Sequence, residues 1–390
     1  MRKFIVHSTI FSIFSEALLF NYIIDLKIFY VIIFLNIVLI TFIQPIKISK
    51  SLLTGLSLIF SCGLLSIALG TNTLSRLTSQ FFGIAIVAIY YYNFFRIENK
   101  GIDYYFKIYS NYSFYIAVIG IIMFIVKLPF EGIRPVKSIM LEPAHFVTAM
   151  LPACYYWFKN REVVGGMKKF LVIITSIILS FSSLGILGLM IGTFLLPKKI
   201  SFSRLFVPIV VAVVAFIVII QNVSSFEMRV NDTVNSFVNN DLSDANLSSY
   251  ALISNLFVAA ASFKQNPIIG GGLGSHILSH EKFIDNVTGS DTFGELINLN
   301  AQDANSLFIR VASELGLFGV AIVLIFIFRN YVKQPGNLKW ISRAILLYFF
   351  CKLLREGHYF SPEMYFFVFA YFYAYKESKS PVSEPILQLT

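Results

Sequence analysis

Charged residues are scarce in this chain of 390 residues, where Asp, Glu, Lys and Arg together make up 13%. A soluble domain carries about a quarter charged residues. The hydrophobic share is 57%, in long blocks, and the mean hydropathy is +0.75. A soluble fold of this length could not bury so much apolar surface, so a lipid bilayer is the simpler solvent for most of the chain.

Cysteine is also rare, and each of the three cysteines lies in or beside an apolar block. Cys62, Cys154 and Cys351 have no CxxC or Cys/His spacing, which excludes a disulfide framework and the common zinc motifs. We expect them to be buried packing thiols, and we predict neither a metal site nor a cofactor.

The chain lacks an internal repeat, a low-complexity tract and a small-x-small cleavage site after its first apolar run, 4–20. More apolar blocks follow at once, so we predict a retained first helix rather than a signal peptide. The charged residues, which sum to a net charge of +10, lie between the apolar blocks. They therefore indicate membrane topology rather than a nucleic-acid partner.

Long apolar blocks dominate what is present, and a membrane-spanning helix needs about 20 such residues. The candidate spans are 4–20, 26–43, 51–70, 79–95, 111–127, 143–158, 204–220, 307–328, 340–355 and 362–376. The block 169–197 is long for one helix and carries serines and glycines near its middle. We predict two short helices there, 169–181 and 183–197, with one long tilted helix as the alternative. About twelve spans result.

Basic residues indicate the orientation, because cytoplasmic loops carry an excess of Lys and Arg. With the N-terminus inside, most of the 31 Lys and Arg residues fall in inner loops. A single helix over 169–197 would place the basic segments 198–204, 329–343 and 376–379 outside. We therefore predict that both termini are cytoplasmic.

The polar segment 221–306 interrupts the series of spans and is rich in Asn, Asp and Ser. The sequence thus predicts an all-α polytopic membrane protein in three parts. Residues 1–220 hold the first nine transmembrane helices, 221–306 form a large extracytoplasmic loop, and 307–390 hold the last three helices and a cytoplasmic tail.

Within this loop, 243–264 is predicted to form an amphipathic helix, capped by Ser243 or Asp244 and ended by Asn266-Pro267. Its expected apolar stripe consists of Leu247, Tyr250, Phe257, Ala260 and Phe263. A helix with this stripe would lie on the bilayer surface or cover the helix bundle.

Ionisable residues on the predicted outer side are functional candidates, because charge near a membrane is costly. The loop 127–145 contains Arg134, Glu142 and His145. Glu142 precedes Pro143, so it suits the positive end of a helix as well as catalysis, and both alternatives stay open.

The glycine-rich run from Gly270 to Gly274 precedes His276 and His280. Glycines such as Gly272 allow backbone N–H groups to form an anion nest, although a flexible turn is the favoured alternative. The run is neither a P-loop nor a dinucleotide fingerprint. The two histidines lack a third ligand nearby, which argues against zinc.

Asp303, Arg310 and Glu314 lie where the long loop becomes a helix, and Arg355 and His358 lie between the last two spans. Arg310 and Glu314 are four residues apart and are placed to pair with each other. A snorkelling arginine is the simplest alternative for Arg355.

Three arginines, Arg134, Arg310 and Arg355, thus fall on one side of the membrane together with several histidines. Arginine is suited to bidentate phosphate binding. We infer an outer site for a phosphate-bearing, lipid-linked substrate. Glu16, a lone acid in the first apolar block, receives no role.

Four motifs carry a resemblance to a known family. They are FKQNPIIGGGLG at 263–274, DANSL at 303–307 with Arg310, Glu314 and Gly316 after it, EPAH at 142–145 and REGHY at 355–359. Their order around one large outer loop resembles the O-antigen polymerase and O-antigen ligase superfamily of bacterial envelopes. Three departures, at 182–185, 250–253 and 304–305, make the chain more similar to the polymerases.

The resemblance implies a metal-independent, GT-C-like glycosyltransferase in the bacterial inner membrane that polymerises glycan repeat units on undecaprenyl diphosphate. Its partners would be the lipid-linked donor and acceptor, membrane lipid and a chain-length regulator. The residues expected to bind diphosphate and glycan are Arg134, His145, Gly272, His280, Arg310 and Arg355. The residues expected to take part in catalysis are Glu142, Asp303, His276 and His358.

Two alternatives remain open. A ligase, or a protein O-glycosylase, would use the same donor with another acceptor. A transporter should carry charges at the membrane midplane, whereas here they cluster at the outer edge.

Overall fold

The computed structural model describes residues 1–21, 25–98, 100–131, 134–195 and 245–380, with the isolated positions 231–232, 234–235, 238 and 242–243. The predicted span 204–220 and most of 221–244 lie outside the described residues. Apart from a short antiparallel ribbon that pairs Leu19–Asn21 with Asp25–Lys27, the regular structure described is helical.

The α-helices are numbered here in chain order. They are α1 (Arg2–Ser12), α2 (Ile28–Thr41), α3 (Lys50–Ala68), α4 (Leu74–Phe94), α5 (Ile102–Glu131), α6 (Pro143–Lys159), α7 (Gly166–Leu179), α8 (Ser183–Phe194), α9 (Leu247–Gln265), α10 (His276–Phe283), α11 (Leu307–Arg329), α12 (Asn337–Leu354) and α13 (Pro362–Lys379). Two 3₁₀ segments, Ile284–Asn286 and Ser290–Asn298, follow α10.

Among the described residues, α3, α5 and α11 contain segments long and apolar enough to cross a membrane. The shorter apolar helices α2 and α8 add to this apolar character. Phe34, Phe42, Phe194 and Phe328 are each more than 70% exposed. A water-facing surface rarely presents many large apolar side chains together, so the chain is an α-helical membrane protein.

The predicted break inside 169–197 is confirmed, because α7 ends at Leu179 and α8 begins at Ser183. Phe181 between them has φ +47, a left-handed conformation that does not continue a helix. The serine Ser180 bonds back to the carbonyl of Ile177 at 2.6 Å. Local polar groups and the Phe181 conformation therefore stop the first helix, and a second helix begins at Ser183.

The first predicted span, 4–20, is wrong as a single helix. Helix α1 ends at Ser12, and turns and the ribbon follow. Ser15 donates to the carbonyl of Ser12 at 2.9 Å, while Glu16 turns inward to a distant partner, His145. Average hydropathy does not detect such polar contacts, and the predicted helix therefore extended past its true end at Ser12.

Helix α6 forms the centre of the bundle and is buried from Phe146 to Trp157. It packs against α5, α7, α8 and α12, and α12 packs in turn against α13. The rings of Tyr348 and Phe367 lie 4.2 Å apart across the α12–α13 contact. This packing brings the N-terminal ends of α6 and α13 together with the C-terminal end of α12.

The predicted amphipathic helix is α9, and it ends at Asn266 as expected. Its cap is Asn246 rather than Ser243 or Asp244, because the Asn246 side chain accepts the N–H groups that open the helix. The predicted apolar stripe is not the face that packs on the bundle: Leu247 is 50% exposed and Phe257 is 42% exposed, whereas Tyr250 is buried.

The buried face of α9 also contains Ser254, Asn255 and Ser262. Asn255 donates to the carbonyl of Leu299 at 3.2 Å, and the face packs against α11. Hydrogen bonds therefore help to orient this helix, and a hydrophobic stripe does not predict them.

Candidate functional site

The glycine-rich run is docked onto α11. The backbone N–H of Gly271 donates to Ser313 O at 2.9 Å, and that of Gly272 donates to Glu314 O at 2.7 Å. Gly272 has φ +98, and a Cβ there would lie 1.9 Å from the Ser66 hydroxyl. The prediction of an anion nest at Gly272 is therefore wrong, because this N–H already has a backbone acceptor.

Arg310 and Glu314 form a buried ion pair in which Arg310 Nε lies 3.0 Å from Glu314 Oε1. The Arg310 Nη1 group donates to Gly357 O at 3.1 Å, and Nη2 donates to Gln80 Oε1 at 3.3 Å. The guanidinium also lies 4.1 Å from the centre of the Tyr359 ring. Arg310 therefore joins α11, α4 and the loop 355–361, and each of its nitrogens already has an acceptor.

His276 lies next to this pair, with its backbone N–H 3.5 Å from Glu314 Oε1, and is fully buried. Asn255 donates its amide to Ala251 O, so its Oδ1 faces the imidazole and accepts from His276 Nε2 at 2.9 Å. The Ser313 hydroxyl lies 2.9 Å from His276 Nδ1 and donates to it. Burial, reinforced by the charge of Arg310, lowers the pKa of His276 to about 3.

The ring of His276 is consequently neutral, and both nitrogens are engaged within the protein. His280, one turn along α10, is also buried, and neither ring nitrogen has a hydrogen-bond partner in the described part of the chain. We assign neither histidine a step with substrate.

Asp303 and His358 form a more accessible acid–base pair. His358 Nε2 lies 3.0 Å from Asp303 Oδ2, and the imidazole side chain is 44% exposed. The other carboxylate oxygen accepts the backbone N–H of Asn305 at 3.0 Å. Asp303 thus binds Nε2 of His358, and the other ring nitrogen, Nδ1, is placed to accept a proton.

Partial burial lowers the pKa of His358 below its ordinary value, and the positive charges of Lys352 and Arg310 act in the same direction. Asp303 acts in the opposite direction. The imidazole is therefore neutral at neutral pH and able to accept a proton.

A second group of charges is buried where α6, α12 and α13 meet. His145 Nδ1 lies 2.9 and 2.8 Å from the two carboxylate oxygens of Glu16. Lys352 Nζ lies 2.6 Å from Glu356 Oε1 and 3.4 Å from Glu363 Oε1. We call these five residues the buried ion cluster.

The sequence pointed to the loop that carries Lys352, Glu356 and Glu363 as a functional candidate and to His145 as a binding residue, but it did not predict that these side chains meet. Glu16 had no predicted role. Lys352 and Glu356 are four residues apart, a spacing that was available as a signal for pairing. The contact between Glu16 and His145 joins positions 129 residues apart, and no local pattern indicates it.

The remaining candidates lie near the surface. Arg134 and Glu142 are exposed, whereas Arg355 is half-buried at the end of α12. Glu142 occupies the N-cap position of α6, as capping requires, but its side chain makes no capping hydrogen bond. The backbone N–H of Val136 donates to Leu179 O, which places the segment 134–142 beside the end of α7.

No protein-family model matches the chain, and no curated protein matches it either.

Gly357 provides a test of how tightly the site is packed. A Cβ at this position would lie 1.6 Å from the Asp303 carbonyl oxygen, which is backbone and cannot move aside. We expect Gly357→Ala to destabilise the protein by about 1–3 kcal/mol, visible as a lower melting temperature in detergent. Gly55→Ala is the matched control, because Gly55 lies within helix α3 and a Cβ there would have no atom within 4 Å. Equal melting temperatures for the two variants would contradict the packing described here.

Proposed function

We propose that this protein is a membrane-embedded glycosyltransferase that polymerises oligosaccharide repeat units carried on undecaprenyl diphosphate. The observation that supports it is the convergence of the four motifs behind the family resemblance. Glu356 N donates to Asn305 O, His358 pairs with Asp303, and Gly274 N donates to Glu314 Oε2. The fourth motif joins through His145, which approaches Glu356.

The topology we propose is the one that the charges indicate: about twelve spans with a GT-C-like arrangement, in the bacterial inner membrane. Both termini would be cytoplasmic, and the site would face outward. The segments 134–142, 303–306 and 355–361 all belong to predicted outer loops, and their contacts bring them to one end of the helix bundle.

In the proposed reaction, a hydroxyl of the acceptor sugar attacks the anomeric carbon of the donor glycan. The bond between that carbon and the phosphate oxygen breaks, and the lipid diphosphate leaves with the bonding electrons. His358 accepts the hydroxyl proton, and Asp303 stabilises the resulting imidazolium. Both side chains lie on loops at the same end of the bundle.

Negative charge develops on the departing diphosphate, so cations placed there lower the barrier. Arg355, which lies just before His358 in sequence, is our first candidate, and the exposed Arg134 is the second. Arg310 is instead a positioning residue, because its nitrogens already bind Glu314, Gly357 and Gln80.

Deletion and reconstitution test the proposal. Cells that lack this chain should carry single repeat units in place of long glycan. Purified full-length protein, given the lipid-linked unit that such cells accumulate, should return a ladder of polymers. A ligase would leave the unit unextended until a second acceptor is supplied. Normal polymer in the deletion strain would remove the proposal.

An ion-coupled transporter is the second candidate, because ionisable groups buried inside helical membrane proteins mark ion pathways and the buried ion cluster is such a group. The cluster lies at the predicted outer end of the bundle rather than at the midplane, so the polymerase is the first candidate. Substrate-dependent flux into liposomes without any glycan product would support it over the polymerase.

A further inference from the structure

The buried ion cluster contains more hydrogen-bond acceptors than the described side chains around it satisfy. Glu16, His145 and Glu356 come from three separate parts of the chain, namely the turn after α1, the first turn of α6 and the turn after α12. Each offers one ligand atom, and these atoms all lie within 4.8 Å of one another. Glu16 and Glu356 are buried, and the His145 side chain is 12% exposed.

Lys352 is the principal cation of this cluster and is fully engaged. Its Nζ contacts Ser361 Oγ at 2.6 Å, Glu356 Oε1 at 2.6 Å and Glu363 Oε1 at 3.4 Å. The other oxygen of Glu356, Oε2, is buried without a hydrogen-bond partner in the described part of the chain. Buried carboxylates require compensation, so this oxygen points to a further cation.

We propose that Glu16, His145 and Glu356 bind a divalent transition-metal ion, with Zn²⁺ as the best fit. One imidazole and two carboxylates form a ligand set that zinc accepts, whereas Ca²⁺ and Mg²⁺ prefer oxygen alone. Lys352 holds the non-ligating oxygen of Glu356, as outer-shell partners of metal ligands commonly do.

Charge also favours a divalent ion. The three carboxylates Glu16, Glu356 and Glu363 face Lys352 and a protonated His145, which leaves one negative charge in excess. A divalent ion that replaces the imidazole proton would balance that excess. Zinc–ligand bonds of about 2.0–2.2 Å require ligand atoms about 3.3–3.6 Å apart in a tetrahedron, and the three ligand atoms lie within 4.8 Å of one another, so binding requires small side-chain shifts.

The ion would join the turn after α1, α6 and the loop 355–361 at one point. The partly exposed side of His145 leaves a way in for the ion and room for a fourth ligand. This proposal does not depend on glycan transfer, because none of its side chains was given a step in that reaction. His145, which the family resemblance placed among the glycan-binding residues, serves here as a metal ligand.

The test uses the full-length protein in detergent, with its affinity tag removed and after treatment with a chelator. We expect Zn²⁺ to bind with a stoichiometry of about one in calorimetry, and Co²⁺ to give the strong visible absorption of a tetrahedral site. Glu16→Gln, His145→Asn and Glu356→Gln should each weaken Zn²⁺ binding by more than the roughly 10–100-fold that loss of an outer-shell partner causes.

Glu142→Gln and His7→Ala are the matched controls, because they remove an exposed carboxylate and an exposed histidine outside the triad. Both should bind Zn²⁺ like the wild type. Failure of the wild type to bind Zn²⁺, or unchanged binding by all three triad variants, would overturn the proposal. If those variants do not fold, the wild-type Co²⁺ spectrum decides, and an octahedral spectrum counts against the site.

Discussion

Replacing His358 by Asn is expected to slow repeat-unit polymerisation by roughly 10²–10⁴-fold, the range that a positioned general base contributes. The reason is that His358 is a partly exposed histidine of the proposed site, and its Nε2 lies 3.0 Å from Asp303 Oδ2. The rate of ladder formation from a lipid-linked repeat unit measures the effect. His7→Ala is the matched control, since His7 is an exposed histidine on α1 and should leave the rate unchanged.

The pH profile separates a base from a merely structural histidine. A neutral imidazole is the active form, so activity should fall as the pH drops through the His358 pKa, which burial keeps below 6.5. Asp303 raises that pKa. Asp303→Asn should therefore lower the rate and move the acidic limb of the profile to lower pH. An unmoved limb, or full activity in His358→Asn, would rule out this base.

Removing the Glu314 carboxylate is expected to lower the free energy of unfolding by about 3–5 kcal/mol, because Glu314→Ala leaves the charge of Arg310 buried without its partner. The side chains of Arg310 and Glu314 are 4% and 0% exposed. Glu314 also accepts the N–H of Gly274, so the glycine-rich run loses a contact as well. Thermal and denaturant unfolding in detergent would measure the loss.

Two comparisons decide whether the loss comes from an unpaired buried charge. The double variant Arg310→Met with Glu314→Leu removes both charges and should recover part of the stability, as apolar replacements of buried ion pairs often do. Glu162→Ala breaks the exposed pair with Arg161, 4.0 Å apart, and should cost less than about 1 kcal/mol. If Glu314→Ala costs no more than Glu162→Ala, the pair is not what holds these elements together.

Local chemistry made several parts of the structure predictable. Pro143 suits the first turn of a helix, and α6 begins there. Asn266-Pro267 ends α9, and the polar residues near 182 divide α7 from α8. Each of these boundaries depends on residues within one or two turns, so a single sequence is sufficient to locate it.

The candidate site was predictable in its residue types but not in its pairings. Asp303 and His358 were both candidates from the sequence, yet their contact follows from the packing of α11 and α12. Gly272 was predicted as part of an anion nest, but its N–H belongs to a backbone contact with Glu314. A glycine that permits a special φ and a glycine that permits close packing look the same in sequence.

The sequence by itself determined that this chain resides in a membrane, because the free energy of placing apolar blocks in lipid depends on composition and block length alone. It also determined several helix ends, such as the start of α6 at Pro143 and the end of α9 before Pro267. Only the tertiary structure decided which charges meet, as in the pair of Glu16 and His145 across 129 residues. Such contacts depend on how whole helices pack. Burying a charge is unfavourable unless a partner compensates it, and local sequence does not identify that partner.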